Sequence, residues 1–484
     1  MNKPQPVIVD TTVKTGNPLL PLLRQQQDAF LKNGAPSYQQ RIDALNKLKK
    51  AVGDYKEEIV AAVQEDFGHR SDTETWITEV VSVLNEVMAT KKHLKKWMKP
   101  TNPGRSLSAG FAKSRVIYQP KGVIGIMGAW NYPVLLVLSP LIGVIAAGNS
   151  AIIKPSDLTP KTGEVVKRMI ASVFDDDYIS VVTGDVQVAT YFTQLPFDHL
   201  VYTGSTHVGR MVMKAAAENL TPVTLELGGK SPTIINLNYP ISKAVDRIMM
   251  GKFMNSGQTC IAPDYILVHE SKETELVNAF KEKVAKRYAN IANNKDISWI
   301  VNDRHFVRIN NLIKDAVARG AQLIQIIPDN VPVSEGTRII PPTLLLNVDP
   351  DSNIMQEEIF GPVLPILTYR DIDEAIRFVN ERPRPLALYY FDNDKKKAED
   401  VINRTISGGA CVNETMLHFA NENMSFGGIG PSGLGGYHGH AGFLEFSHKK
   451  SVIFQGAFSP APFMNRPYPA FLVKVLKAVT KVLS

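Results

Sequence analysis

Between about Leu20 and Trp97, apolar residues recur at spacings of three and four, as in Ile42-Leu45-Leu48, Ile59-Val60-Val63 and Val80-Leu84-Val87. One face of a helix has that period, so the region reads as helical. Pro36-Ser37 marks a helix start, and Gly53 and Gly68 mark breaks. From Lys99 to Ala109 the composition turns to Pro, Gly, Ser and Thr, the signature of a connection. Ser114 to Pro120 follows as an exposed strand. Short β-rich runs then alternate with helical stretches: Val123–Met127, Ala151–Lys154, Ile179–Val182 and His199–Thr203 are strands, and Val165–Val173 is a helix. The apolar run Val134–Ala147 resembles a membrane span, but Pro140 and Gly143 interrupt it. It falls short of the ~20 apolar residues that a span needs, so a buried helix fits better.

The alternation restarts after Glu226. Thr233–Asn236, Tyr265–Val268 and Leu323–Ile326 read as strands, with helices at Ala244–Phe253 and Glu273–Lys286. Short apolar strands alternating with helices imply parallel, doubly wound α/β sheets, here in two units with a boundary near Glu226–Ser231. Seven glycines between Ser425 and Gly439 make a long, conformationally special loop. Ser451–Phe454 reads as a last strand. Pro460, Pro462, Pro467 and Pro469 mark a linker. From Phe471 to Ser484, Lys474, Lys477 and Lys481 share one helical face and Leu472, Val475, Leu476, Val479 and Leu483 the other. This basic amphipathic tail has three readings: contact with an anionic membrane surface, a cover over the substrate entrance, or docking on its own domain.

Composition narrows the class. A chain of 484 residues with 44% hydrophobic and 21% charged residues is globular and holds two or three domains. The net charge of +7 is modest for this length. Its densest cluster, Lys91 to Lys99, reads as a solvated helix end stopped by Pro100 rather than a nucleic-acid patch. Two cysteines make no disulfide framework, and Met1–Thr12 has no apolar core of signal-peptide type. The expectation is a cytoplasmic protein, peripheral to the membrane if the tail binds there, with no metal centre and no nucleic-acid partner.

Candidate chemistry centres on Asn255-Ser256-Gly257-Gln258-Thr259-Cys260. Small, polar, turn-forming residues precede the sulfur, so Ser256 and Gly257 loosen the backbone and present a thiol at the end of a turn. A free thiol titrates near ~8.5, and nearby backbone N–H groups can lower that value. A buried structural cysteine explains the stretch alone equally well. Two further stretches change the balance: Val223-Thr224-Leu225-Glu226-Leu227-Gly228-Gly229-Lys230 and Gln356-Glu357-Glu358-Ile359-Phe360-Gly361-Pro362. The three together resemble the signature segments of the aldehyde dehydrogenase superfamily, over about Tyr38 to Phe454. Gly128 to Pro133, Phe197 to Gly204, Ser425 to Gly430 and Tyr437 to Gly439 are similar to the class 3-like branch of fatty, aromatic and coniferyl aldehyde dehydrogenases. Glu414 to His418 looks most like its bacterial coniferyl members.

The resemblance implies the aldehyde dehydrogenase fold: a Rossmann-like dinucleotide domain (18–98 and 121–227), an α/β catalytic domain (228–410), a small β oligomerisation arm with the C-terminal loop (99–120 and 411–455), and the Pro-rich linker and tail (456–484). It implies a homodimer, a small-molecule aldehyde substrate and NAD as cofactor, with room for NADP. Strand His199–Thr203 runs into Gly204-Ser205-Thr206-His207-Val208-Gly209, with a helix from Arg210. Gly204, Ser205 and Gly209 would receive the pyrophosphate at that helix start. Lys154 and Asp157 would contact the adenine ribose, Asp157 being one methylene shorter than the usual glutamate. Glu358 would hold the nicotinamide ribose, Phe360 would pack near its ring, and Trp130 and Leu227 would complete the cofactor site.

Aldehyde oxidation needs a nucleophile to make a tetrahedral adduct, a base to activate water, and a donor for the developing oxyanion. Cys260, Glu226 and Asn131 fill those roles, with the backbone N–H of Cys260 as second donor. Leu225 and Leu227 flank Glu226, and burial there raises a carboxyl pKa. Cys411, in a small-residue strand, reads as packing. A CoA-acylating dehydrogenase and a non-catalytic protein on this fold stay open; Glu226 favours hydrolysis over acyl transfer to CoA.

Overall fold

A computed structural model of the chain describes residues 16–104, 106, 112–288, 291, 294–326, 336–456, 459 and 461–484. The N-terminal stretch Met1–Thr12, the far end of the 99–109 connection and Pro460 lie outside the described residues. The helical opening comprises Leu20–Asn33, Tyr38–Phe67 and Ser82–Trp97. Ser37 caps the second of these with a capping box: its hydroxyl accepts from the Gln40 N–H at 3.3 Å, while the Gln40 side chain accepts from the Ser37 N–H at 2.7 Å. Gly53 does not break this helix, contrary to the sequence expectation. Leu45, Leu48, Val52, Ile59, Val63 and Phe67 are all fully buried along one stripe, and their burial outweighs the ~1 kcal/mol that an interior glycine costs. Gly68 does end it. A π-helical turn at Trp76–Val81 turns Glu79 into the interior.

Three sheets follow. The first has six strands in the order Gly433–Leu434, Val223–Glu226, His199–Thr203, Val123–Met127, Ser150–Lys154 and Ile179–Val181, all parallel except the antiparallel Gly433–Leu434. The chain starts it at Val123–Met127 and winds outward both ways. The topological switch therefore falls between Met127 and Thr203, where a crevice opens beyond the carboxyl ends of the strands. Helix Leu135–Ala147 packs on this sheet, buried at every residue but Gly143. The second sheet has seven strands, in the order Gly409–Val412, Ala387–Phe391, Pro232–Ile235, Tyr265–His269, Val363–Tyr369, Thr343–Leu346 and Gln322–Gln325, with only the last antiparallel. The third pairs Lys113–Pro120 with Ser447–Phe454, antiparallel from Lys113 opposite Phe454 to Pro120 opposite Ser447.

This is the α/β architecture expected, with one boundary displaced. A division at 410/411 cuts the strand Gly409–Val412, and Gly433–Leu434 belongs to the first sheet, so the two-stranded arm takes only the ends of the 99–120 and 411–455 segments. The tail forms the helix Ala470–Leu483. Val475, Leu476 and Val479 on its apolar face are exposed. Among the described residues no helix is long and apolar enough to cross a membrane.

Candidate active site

Cys260 follows a turn of unusual hand. Helix Ile241–Phe253 ends, and Asn255, Ser256 and Gly257 then take φ of 49°, 50° and 74° in succession. For non-glycine residues each such step costs about 1–2 kcal/mol. The surroundings fix the turn rather than loosen it, which corrects the sequence expectation. The Asn255 N–H donates to Glu74 Oε2 at 3.0 Å, Ser298 Oγ donates to the same oxygen at 2.8 Å, and Ser256 Oγ donates to the Ser298 carbonyl. Gln258 Nε2 donates to the carbonyls of Asn255 and Trp299, both at 3.0 Å. A Cβ on residue 257 would lie 2.4 Å from the Gly361 carbonyl oxygen, so only glycine fits.

Asn131 lies in the loop after Val123–Met127, 3% exposed, with Nδ2 donating to the Gln258 carbonyl at 3.2 Å. Arg70 and Glu79 hold this loop. Arg70 donates from Nη1 to the Asn131 carbonyl at 2.8 Å and pairs with Glu79 at 3.3 Å; both side chains are fully buried. Glu79 Oε2 accepts from the N–H groups of Val134 (3.0 Å) and Leu135 (2.8 Å), capping a helix whose own N-cap residue offers no side chain. The Arg70 guanidinium also sits between the Phe67 and Tyr132 rings, 5.0 and 4.9 Å from their centroids.

Glu226 ends the strand Val223–Glu226, 2% exposed, and neither carboxyl oxygen has a hydrogen-bond partner. Burial first, then the charge of Glu445, holds its pKa well above the carboxylate range. The sequence expectation of a raised value has the right sign. Burial, followed by Glu358 and Glu226, also pushes the Cys260 thiol up. The backbone N–H groups of Cys260 and Ile261 pull the other way but do not prevail, so the expected lowering is not what the resting site has.

Cys260, Glu226, Asn131, Lys154, Asp157, Gly204, Ser205, Trp130, Leu227, Glu358 and Phe360 all line one cleft of about 670 Å³ at the switch point. Gly209 does not. It lies one turn into a helix that begins at Thr206 rather than Arg210, and a Cβ there would meet Leu227 Cδ2 at 2.6 Å, so its role is close packing of helix on strand. Gly204 must be glycine because a Cβ would lie 2.2 Å from the Tyr202 hydroxyl. Ser205 caps the helix by accepting from the Val208 N–H at 3.3 Å. Lys154 is 3% exposed and donates to the Pro155 carbonyl at 3.1 Å, whereas Asp157 is exposed at the cleft edge.

The loop carrying Glu358 and Phe360 is anchored by residues that sequence reasoning did not single out. Arg308 donates to the carbonyls of Glu358 (3.1 Å) and Ile359 (2.6 Å), and the Ile359 N–H donates to Asp264 at 3.0 Å. Lys230 bridges Asp264 to the carbonyls of Ile354 (2.7 Å) and Glu357 (2.9 Å). Glu358 Oε1 has no partner, and burial, with Asp264 nearby, raises its pKa to about 8. Phe360 adopts φ of 51° and meets Trp130 edge-on at 5.3 Å. His305, its ring tilted against Trp130 at 5.1 Å, is held neutral by burial and two arginines, its pKa lowered to about 4. Among the described residues no three His, Cys, Asp or Glu side chains gather as a metal site.

A dinucleotide fits these groups. The helix N-terminus at Thr206 suits a pyrophosphate, and the unpartnered Glu358 oxygen suits a ribose hydroxyl. Cys260 packs against a hydrophobic core cluster that holds Tyr389 and Phe426, and Met416 and Phe419 pack against the same cluster.

The model of the aldehyde dehydrogenase family matches residues 20–452. The chain is 44% identical to a probable coniferyl aldehyde dehydrogenase of Pseudomonas aeruginosa, over 95% of this chain and 96% of that one. It is 45% identical to the 4,4'-diaponeurosporen-aldehyde dehydrogenase of Staphylococcus aureus, over 86% and 89%. The substrate-bound structure of Staphylococcus aureus AldH superposes with a TM-score of 0.88 at 41% identity, covering 95% of this chain and 99% of that one. The family match over nearly the whole chain and the identity to these relatives make the chain an NAD(P)-dependent oxidoreductase acting on aldehydes, and it belongs to the aldehyde dehydrogenase family.

Proposed function

We propose that the protein oxidises an apolar or aromatic aldehyde, of coniferaldehyde or long-chain type, to the carboxylic acid. The observation that carries this reading is the meeting of Cys260, Glu226 and Asn131 in one largely apolar cleft. The names of the relatives, a probable coniferyl aldehyde dehydrogenase and a 4,4'-diaponeurosporen-aldehyde dehydrogenase, support the same substrate class.

The Cys260 sulfur adds to the aldehyde carbon, and the Asn131 amide and the Cys260 N–H donate to the resulting oxyanion. When bound, the nicotinamide accepts the hydride that this carbon loses. Glu226 takes a proton from water as its oxygen attacks the thioester; the C–S bond breaks and the acid leaves. Trp130, Leu227 and Phe360 would flank the cofactor ring, Glu358 its ribose, and Gly204 and Ser205 the pyrophosphate. Lys154 and Asp157 would bind the adenine ribose. The Asp157 carboxylate favours NAD over a 2′-phosphate, and its exposure leaves NADP usable.

A homodimer is supported by two unpaired edges, Gly409–Val412 in the seven-stranded sheet and Ser447–Phe454 in the arm, with Val412, Ile453 and Phe454 exposed. The chain divides into a cofactor unit (18–98, 121–227), a catalytic unit extended to 412, and the arm. The tail, with an exposed apolar face opposite Lys474, Lys477 and Lys481, would hold a cytoplasmic enzyme against an anionic membrane where apolar aldehydes partition.

The test follows reduced-cofactor absorbance with NAD or NADP over coniferaldehyde, benzaldehyde, hexanal and hexadecanal, with Cys260→Ala beside the wild type. Turnover without CoA that vanishes in the variant is expected. Turnover that survives the substitution, or that requires CoA, rejects the assignment.

A further inference from the structure

Glu226 must load and shed a proton in every cycle, yet it is sealed in. A bound substrate and cofactor fill the cleft on one side, and both its oxygens lack partners in the protein. Behind it, on the face away from Leu225 and Leu227, the structure holds an ordered polar run. Thr203 stands directly opposite Glu226 in the ladder, and its buried hydroxyl lies beside that of the buried Tyr437. On the same face as Glu226, two residues back on its strand, Thr224 donates to Glu445 Oε1 at 2.7 Å. Thr224 also meets His199 Nε2 at 2.7 Å, and His199 Nδ1 meets Lys121 Nζ at 2.9 Å. The main chain at Gly435 and Gly436 lies between the two carboxyls. A Cβ on Gly427 would touch both the Gly435 carbonyl oxygen (2.3 Å) and Glu226 Oε1 (3.2 Å), and one on Gly435 would meet Glu445 Oε1 at 2.7 Å. The Glu445 side chain is 27% exposed, so this run ends in solvent.

We propose that Glu445 is the proton outlet of Glu226, reached through water held by Thr203, Tyr437 and the Gly435 main chain, so that the base is reset from behind while the cleft is occupied. The proposal rests on Glu226 being the hydrolytic base. The step is a proton transfer only. The proton that Glu226 takes from the attacking water passes to the Glu445 carboxylate and then to solvent, with no electrons exchanged. The two Glu226 oxygens have no partner in the protein, and buried polar groups of this kind call for water. The other titratable groups facing the pair are His199 on its strand, Lys121 before Val123, Tyr437 and Cys260, with Glu86 behind Tyr437. Burial and Lys121 lower the His199 pKa to about 3, so His199 stays neutral and leaves Glu445 as the acceptor.

The experiment uses p-nitrophenyl acetate, which acylates the thiol without hydride transfer, with saturating NAD present so that the cleft is occupied, and compares the wild type with Glu445→Gln and Glu445→Asp over pH 6 to about 9.5. Glutamine keeps the Thr224 hydrogen bond but cannot carry a proton. The expected result is an unchanged acylation burst, a steady-state deacylation rate about tenfold lower in Glu445→Gln, and a displaced pH profile, with Glu445→Asp retaining most of the rate. A Glu445→Gln enzyme with the wild-type steady state and pH profile overturns the proposal. So does an equal loss in the Asp and Gln variants, because it assigns Glu445 to packing. A wild type that shows no acyl-enzyme and reduces no cofactor rejects the aldehyde dehydrogenase assignment itself. Only the ratio of variant to wild type bears on Glu445.

Discussion

The Tyr132 hydroxyl and Thr259 Oγ1 lie 2.6 Å apart, joining the loop that carries Asn131 to the turn that carries Cys260. The two residues are neighbours, in sequence, of Asn131 and Cys260, the proposed oxyanion donor and nucleophile. Their bond fixes the separation of those two groups from behind, while Arg70 grips the same loop by its carbonyl. In Tyr132→Phe, one buried hydrogen bond is lost and Thr259 is left unpaired. Acylation by aldehyde is expected to slow about fivefold, matching ~1 kcal/mol, with cofactor affinity unchanged. Stopped-flow and cofactor titration check this, and equal acylation rates count against it.

Cys260 is sheltered at rest. Burial and the Glu358 and Glu226 carboxyls raise its pKa, so the thiolate fraction grows with pH well beyond neutrality. Alkylation by iodoacetamide without cofactor is expected to keep rising at about pH 9 and to be faster in Glu358→Gln. A rate that levels off below pH 8 contradicts this electrostatic picture.

Gly228 makes space for a carboxylate. A Cβ there would lie 2.1 Å from Glu358 Oε2. Gly228→Ala is expected to raise the KM for cofactor about tenfold or more, while p-nitrophenyl acetate still acylates Cys260. Unchanged cofactor kinetics remove Glu358 from the ribose site.

Glu86, buried between helices, has its pKa raised to about 8, chiefly by burial. From its unfolded value near 4.5 up to about 8, the folded chain holds a proton that the unfolded chain has released. This contribution is therefore complete below about pH 4.5 and is lost as pH rises through 8, by about 1.4 kcal/mol per unit within the window. Glu86→Gln removes that slope. Urea melts from pH 5 to 9 are expected to fall less steeply in the variant, and parallel curves reject the assignment.

The tail is tested by flotation with vesicles. Full-length protein is expected to float with phosphatidylserine-containing vesicles at low salt, and a chain ending at Pro469 is expected not to. Equal flotation of both means that the helix Ala470–Leu483 does not carry the contact.

Most of the cleft was legible because its chemistry sits in contiguous motifs. Asn131, Glu226, Cys260 and Glu358 each lie in a short stretch bounded by glycine or proline, and each ends up lining the same cleft. What supports them was not legible. Arg70 and Asn131 are 61 positions apart, and Tyr132 and Thr259 are 127 apart. Arginines and glutamates on a helical stretch read as solvated faces until the π-turn at Trp76–Val81 directs Glu79 inward. Gly53 and Gly209 misled for one physical reason. A glycine reads as a break or a ligand contact from sequence, yet in one case a buried stripe carries the helix through it, and in the other it lets a helix approach Leu227.

The left-handed run at Asn255–Gly257 sets the portability of the nucleophile. The hexapeptide ending at Cys260 does not store its own shape. Glu74, Ser298, Trp299 and Gly361, from three distant stretches, press it into a conformation that L-residues resist. Grafted alone onto another scaffold, the six residues would relax and the sulfur would lose its aim. The smallest transferable unit is the hexapeptide together with its mould, and a designer who wants this thiol elsewhere must carry all four segments at once.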